Sequence, residues 1–489
     1  MRPISRRRAL TLGGVGLVGA VVGGTGLWRD LSTSTLDPVT GGTYAEPEVL
    51  SSDGGLLEVR LEAAVGDHEV AGRTARTMGF NGGVPGPTLR LRPGDTLRVE
   101  LVNRLERPTN LHVHGLHVSP EGKGDDVFLA IGPGRSQQYE YQLPGDHPPG
   151  VYWYHPHHHG TVADQMFAGL YGAIIVEEDD AVPVDRERVM VISDITLDTD
   201  GSVVRPSTRE QMMGREGALV LLNGRREPVL EGRSGERERW RIVNACTSRY
   251  LAPRLPGQTT RVVGRDVGRL PEHGRLEDVV LAPGNRLDLV VDLGEGSGGL
   301  TTDPVDRGRM MGGGPMGGRS VPGDDGPVTL AQLEVTGGTG SPRGEVPSAP
   351  PVRDLRGAAV DGRRSLTFQM GMGGMMGGGG GPMSFTIDGE TYDAERTDQR
   401  VRMGTVEEWR ISNDSPMDHP FHLHVWPMQV LEVDGRPLPD PLWLDVVNVP
   451  ARSEVTVRVA FEDFDGRTVY HCHILDHEDR GMMGTILAR

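Results

Sequence analysis

The feature that most constrains this chain is that it repeats itself. Asn81-Gly82 is followed by Leu97-Arg98-Val99-Glu100-Leu101-Val102-Asn103, Asn223-Gly224 by Trp240-Arg241-Ile242-Val243-Asn244, and Asp388-Gly389 by Trp409-Arg410-Ile411-Ser412-Asn413. Each copy reads as a tight hairpin-type turn and then an alternating strand with one wet face. A second echo follows each time: Gly132-Pro133-Gly134-Arg135, Ala282-Pro283-Gly284-Asn285-Arg286, and Pro450-Ala451-Arg452. Each of these leads into a further alternating strand such as Gln138-Tyr139-Glu140-Tyr141 or Arg286-Leu287-Asp288-Leu289-Val290-Val291. Short strands recurring in register predict an all-β chain of repeated β-sandwiches. The length of 489 residues suits three cores, and Gly and Pro together, about 22% of the chain, suit many turns. The domains are expected near 45–178, 183–340 and 350–489, joined by Glu177–Val182 and by the Gly/Ser/Pro-rich stretch Gly337–Pro351.

Charge and cysteine content remove some function classes. A formal charge of −17 argues against a nucleic-acid binder, which needs a basic face. Two cysteines cannot make a disulfide framework. Ser5-Arg6-Arg7-Arg8-Ala9-Leu10 precedes a mild apolar stretch from Ala9 to Leu27 and resembles a twin-arginine export signal, so residues 1–28 are set apart from the fold. An uncleaved membrane anchor is the alternative, although its glycines make a weak helix, and no clear cleavage site marks the cut. The expected location is outside the cytoplasm, with the twin-arginine export machinery as a partner.

Eight of the sixteen histidines lie in four His-x-His pairs. The pairs are His112-Val113-His114, His155-Pro156-His157, His422-Leu423-His424 and His471-Cys472-His473. On a strand, residues i and i+2 face the same side, so each pair presents two imidazoles together. Two pairs belong to the first domain and two to the third, so a shared site must lie between those domains. Eight imidazoles are too many for one ion and suit a small metal cluster. Cys472, between its two histidines, points the other way, and His419 has the same parity relative to His422. With His477 and Met482, five and ten residues after Cys472, they make two imidazoles, a thiolate and a thioether. That is the donor set of a blue-copper electron-transfer site. Cys472 thus joins two sites.

These residues carry a family resemblance. His112-Val-His114-Gly, Trp153-Tyr-His155-Pro-His157, His419-Pro-Phe-His422-Leu-His424 and His471-Cys472-His473-(x3)-His477-(x4)-Met482 resemble the four signatures of multicopper oxidases. The resemblance implies three cupredoxin-like Greek-key β-sandwich domains and four coppers per chain. His419, Cys472, His477 and Met482 would hold the type 1 copper, and His112 and His422 the type 2 copper. His114, His155, His157, His424, His471 and His473 would hold the type 3 pair. O₂ would be reduced to water, which consumes protons that buried acids must deliver. Glu478, beside His477, and Asp125 or Asp126, shortly after His114, are the candidates. Cys472 would carry the electrons between sites. His158 and His159 are read as lying outside the ligand set, and Cys246 as a small buried residue.

Eight of nineteen methionines lie in two glycine-rich tracts, Met310-Met311-(x4)-Met316 and Met370-Gly371-Met372-Gly373-Gly374-Met375-Met376-(x6)-Met383. Their spacing fits neither a packed helix nor a packed strand, so no core role is expected. Thioethers favour Cu(I), and similar segments occur in bacterial copper-tolerance members of the resembled family. Met417, Asp414 and Asp418, just before His419, are candidates to complete a substrate site. The leading expectation is therefore an exported oxidase of Cu(I). A laccase-like oxidase of phenols is the alternative, and a non-catalytic copper buffer fits the intact ligand set less well.

Overall fold

A computed structural model of the protein describes residues 36–178, 182–308, 326–338, 344–372 and 383–489. The twin-arginine segment and Met310, Met311, Met316, Met375 and Met376 lie outside the described residues. Among the described residues no helix is long and apolar enough to cross a membrane. The described residues are nearly all strand, arranged in six sheets, with three short α-helices among them: Val162–Phe167, Thr208–Met213 and Leu475–Glu478. Strands from 49–176 make one pair of sheets, strands from 186–336 a second, and strands from 362–488 a third.

The repeat seen in the sequence is a repeat of topology. Thr96–Asn103, Arg237–Asn244 and Thr405–Asn413 each pair in parallel with an earlier strand (Leu56–Val70, Arg186–Ile195, Gly362–Met372). Each pairs antiparallel on its other edge with Ser136–Gln142, Arg286–Asp292 or Glu454–Phe461. Asn81, Asn223 and Asp388 have φ of 51°, 50° and 55°, and Gly82, Gly224 and Gly389 have φ of 77°, 75° and 80°. Two consecutive positive φ values are what a type I′ hairpin turn requires, which is why Asn-Gly and Asp-Gly stand there. The closing asparagines also share one task. The Nδ2 groups of Asn103, Asn244 and Asn413 donate to the carbonyls of Ile131, Leu281 and Val449 at 2.7, 3.1 and 3.0 Å, tying each strand end to the start of the next echo.

Two expectations need correction. Arg237–Asn244 has no wet face: all eight residues are buried. Its arginines survive burial because they are paired, Arg239 with Asp288 (2.8 Å) and Glu178, and Arg241 with Glu187 (2.9 Å). The second methionine tract is also not without regular structure at its ends. Gly362–Met372 and Met383–Ile387 are paired strands, with Met370 facing Phe385 in register, and Met370 and Met383 pack against the third core.

An apolar seam fixes the first two sheet pairs to each other. It joins Val151, Trp153 and Ile175 to Val189, Val191, Leu221 and Val243, and Leu475 of the third pair completes it.

Candidate metal centre

His112–His114 runs antiparallel to Gly150–His155, with His112 opposite His155. In the third sheet pair His419–Leu423 runs antiparallel to Gly466–Cys472, with His422 opposite His471 and Phe421 opposite Cys472. The register places the paired imidazoles on the face between the first and third units, where all eight are at most 1% exposed.

They converge in three groups whose donor atoms lie within 4.8 Å of one another: His112, His114 and His422; His114, His155 and His473; His157, His424 and His471. His157 Nε2 and His424 Nε2 stand 3.0 and 3.2 Å from His471 Nε2. Each of these rings can present a lone pair to a common point. The outer nitrogens fix the tautomers. His112 Nδ1 donates to Asp125 Oδ2 at 2.7 Å, His422 Nδ1 to the Asp445 carbonyl at 2.8 Å, and His155 Nδ1 to the Pro156 carbonyl at 2.8 Å. The opposite nitrogens of His112 and His422, both Nε2, are buried without a hydrogen-bond partner among the described residues. A buried lone pair with no partner is costly unless something absent from the chain binds it, so these residues fit a metal cluster. Burial, reinforced by neighbouring imidazoles, holds the rings neutral: it pushes His157 and His471 down to about 4 and the others well below the usual imidazole range.

On the far side of the same strand, His419, Cys472 and His477 form a fourth group. His419 Nδ1 is 3.3 Å from Cys472 Sγ, and His477 Nδ1 is 3.9 Å from it. Met482 is fully buried in the same core, and its carbonyl accepts from the Cys472 amide at 3.0 Å. The mutual approach of two bare imidazole nitrogens and a thiol, all at 0% exposure, fits a soft metal ion. Neither imidazole shows an edge to solvent. His419 Nε2 donates to Ser415 Oγ at 2.8 Å, and His477 Nε2 donates to the Met212 carbonyl at 3.1 Å.

Two of the three acids singled out from the sequence reach the imidazoles. Asp125 Oδ1 accepts from the Val113 amide at 3.0 Å while Oδ2 serves His112 and lies 3.6 Å from His424 Nδ1. Glu478 Oε2 lies 3.1 Å from His471 Nδ1, whose proton goes to the Cys472 carbonyl, and Oε1 lies 3.6 Å from His157 Nδ1. Both Glu478 oxygens are therefore buried without a hydrogen bond among the described residues. Burial pushes Glu478 up to about 7 and Asp125 to about 8, so each can hold a proton near neutral pH. Asp126 is half-buried and turned to its own loop, accepting from the Phe128 amide.

Other expectations fare differently. His158 and His159 stand outside all four groups, with His159 packed on Tyr392. Cys246 is a buried thiol in the second core. Met417 is fully buried in the third core, as Met482 is. Asp418 is committed to the Ala451 amide and the Asn448 side chain, and only Asp414 is exposed. Sequence reasoning missed Ser415, Met212, Asp445 and Arg286. Of these only Arg286 carried a signal, as part of a repeated turn.

Comparison with known proteins agrees with this geometry. Two models of multicopper oxidase domains match residues 62–181 and 363–489. The chain is 28% identical to the multicopper oxidase Mco of Staphylococcus aureus, over 90% of this chain and 91% of that one. It is 29% identical to the cell division protein FtsP of Sodalis glossinidius, over 86% of each chain. Among solved structures, a multicopper oxidase from Campylobacter jejuni described as a metallo-oxidase superposes with a TM-score of 0.81 at 29% identity, covering 94% of this chain and 98% of that one. The sheet pairs are thus cupredoxin-like β-sandwiches. Matched segments, shared fold and converging imidazoles lead to one assignment: the chain belongs to the multicopper oxidase family, oxidoreductases that bind copper and use O₂.

Proposed function

We propose that this protein couples one-electron oxidation of Cu(I) to four-electron reduction of O₂ to water, as an exported enzyme of copper tolerance with four coppers per chain. His419, Cys472, His477 and Met482 hold the type 1 copper in this reading. His112 and His422 hold type 2, and two trios, His114-His155-His473 and His157-His424-His471, hold the type 3 pair. Copper supplies one-electron chemistry at the first site and O₂ reduction at the second. The three-domain division near 45–178, 183–340 and 350–489 belongs to the same proposal.

The observation that carries it is the position of Cys472. Its sulfur belongs to one donor group, while the imidazoles of His471 and His473, its neighbours in the chain, belong to two others. Electrons need cross only a side chain, a peptide and an imidazole. Glu478 and Asp125 hold protons beside the imidazoles and supply them to oxygen. Cu(I) is favoured over bulky phenols because both imidazoles of the Cys472 group are fully buried and capped, one by Ser415 and one by the main chain at Met212. Met212 and Met213 are half-buried on the short helix whose Met212 carbonyl meets His477, and Met213 packs against the third core, so soft donors belong to that segment. Export rests on Ser5-Arg6-Arg7-Arg8 and the apolar stretch after it.

The test is O₂ uptake by copper-loaded protein with Cu(I) against phenols. A higher kcat/KM for Cu(I) supports the proposal. A higher value for phenols moves the reading to a laccase-like oxidase, and uptake with neither ends both.

A further inference from the structure

The second unit contributes no imidazole to any of the four groups, yet one of its turns stands against them. Resting on the copper-cluster reading above, we propose that the turn Pro283-Gly284-Asn285-Arg286 sets the geometry of the cluster, with Arg286 as a positioning residue that acts through Asp445.

Arg286 is fully buried and bonds to all three units. Its Nε donates to the Val151 carbonyl of the first at 3.0 Å, and Nη1 donates to the Gly284 carbonyl of its own turn at 3.1 Å. Nη1 also donates to Asp445 Oδ1 of the third unit at 2.6 Å, and Nη2 to Asp445 Oδ2, a two-point clamp on a carboxylate. A planar fork fixes the orientation of that carboxylate as a lysine would not. The clamped residue then touches two ligand candidates. Asp445 Oδ1 accepts from His114 Nε2 at 3.2 Å, which turns His114 Nδ1 toward His155 Nε2, 3.4 Å away. The Asp445 carbonyl accepts from His422 Nδ1 at 2.8 Å, which leaves His422 Nε2 for the cluster. His114 and His422 stack at 4.0 Å, so one carboxylate-bearing residue holds the outer edges of two parallel rings.

Gly284 makes the approach possible. Its φ is +89°, and a Cβ there would stand 3.0 Å from His473 Nε2 and 3.1 Å from His114 Cε1. A Cβ on Gly115 would collide with Arg286 and Asp445. The other two copies of the turn do none of this. Arg135 and Arg452 are exposed, and a Cβ on Gly134 would meet nothing within 4 Å. One of three equivalent turns has been turned inward to wall the site.

The test uses full-length, copper-loaded protein and two variants, Arg286→Lys and Asp445→Asn. Each is read by copper EPR and by the rate of O₂-driven reoxidation. The blue thiolate absorption serves as a control, because the Cys472 group lies on the far side of the strand. The expected result is an altered type 2 EPR spectrum and reoxidation slowed about 10- to 100-fold, with the blue absorption unchanged. A structural role alone would lower the melting temperature of the copper-free variants and leave the spectrum of the copper-loaded ones as in the parent. That result in both variants overturns the proposal. Should Arg286→Lys fail to fold, Asp445→Asn, which keeps the side-chain volume and an acceptor oxygen, decides on the same readouts. A parent protein that shows blue copper but no further copper would instead overturn the cluster reading on which the inference rests.

Discussion

Cys472 and His471 are adjacent in one strand and serve opposite sites: Cys472 Sγ lies 3.3 Å from His419 Nδ1, and His471 Nε2 lies 3.0 Å from His157 Nε2. The alternation of a β-strand is enough to produce this arrangement. In the function proposed above it makes Cys472 a covalent link between the electron-accepting site and the oxygen-reducing one.

Cys472→Ser is expected to abolish the blue absorption and turnover while leaving the copper bound by the eight imidazoles. Visible absorption and copper content per chain check this. A variant that stayed blue would transfer the thiolate role to Cys246, the other cysteine of the chain.

Met482→Leu is expected to keep the blue colour and raise the potential of the site, because hydrocarbon would replace the thioether proposed as a weak ligand. Redox titration of the absorption band measures it. Loss of the blue copper altogether would mean that the thioether holds the ion rather than tunes it.

Glu478→Gln removes a proton donor and leaves every proposed ligand in place. Reoxidation by O₂ should slow about 100-fold, with reduction of the blue site unchanged, in stopped-flow traces. Reoxidation at the parent rate would take Glu478 out of the proton path.

The copper-free protein should lose stability as pH falls from about 6.5 toward 4. Burial depresses His157 and His471 to about 4 and His419 to about 3, so the folded state stays unprotonated where the unfolded state binds protons. Stability rises with pH wherever the unfolded chain binds more protons, so the sign is destabilisation on acidification. Melting temperatures at a series of pH values test this, and copper loading should raise all of them. A flat profile would mean the imidazoles are open to solvent protons.

The donor groups were legible in the sequence because a strand's period of two turns spacing into geometry: His-x-His puts two rings on one side and Cys472 on the other. The hairpin turns were legible because only a few residues accept consecutive positive φ. Arg286 and Asp445 were not legible, since 159 positions separate them and only tertiary packing brings them together. The burial of Arg237–Asn244 was hidden for a related reason, as its alternating charges read as a wet face until Glu178, Glu187 and Asp288 close over them. The packing of Met370 and Met383 was not legible because their glycine neighbours mask a strand pairing that depends on register with a partner.

The central claim is that Cu(I) oxidation drives complete reduction of O₂. The direct measurement is the number of Cu(I) ions consumed per O₂, with peroxide assayed in parallel and Cys472→Ser as the background for spontaneous oxidation. The account predicts about four Cu(I) per O₂ and no peroxide above that background. A ratio near two with accumulating peroxide, or uptake no faster than in Cys472→Ser, would contradict it.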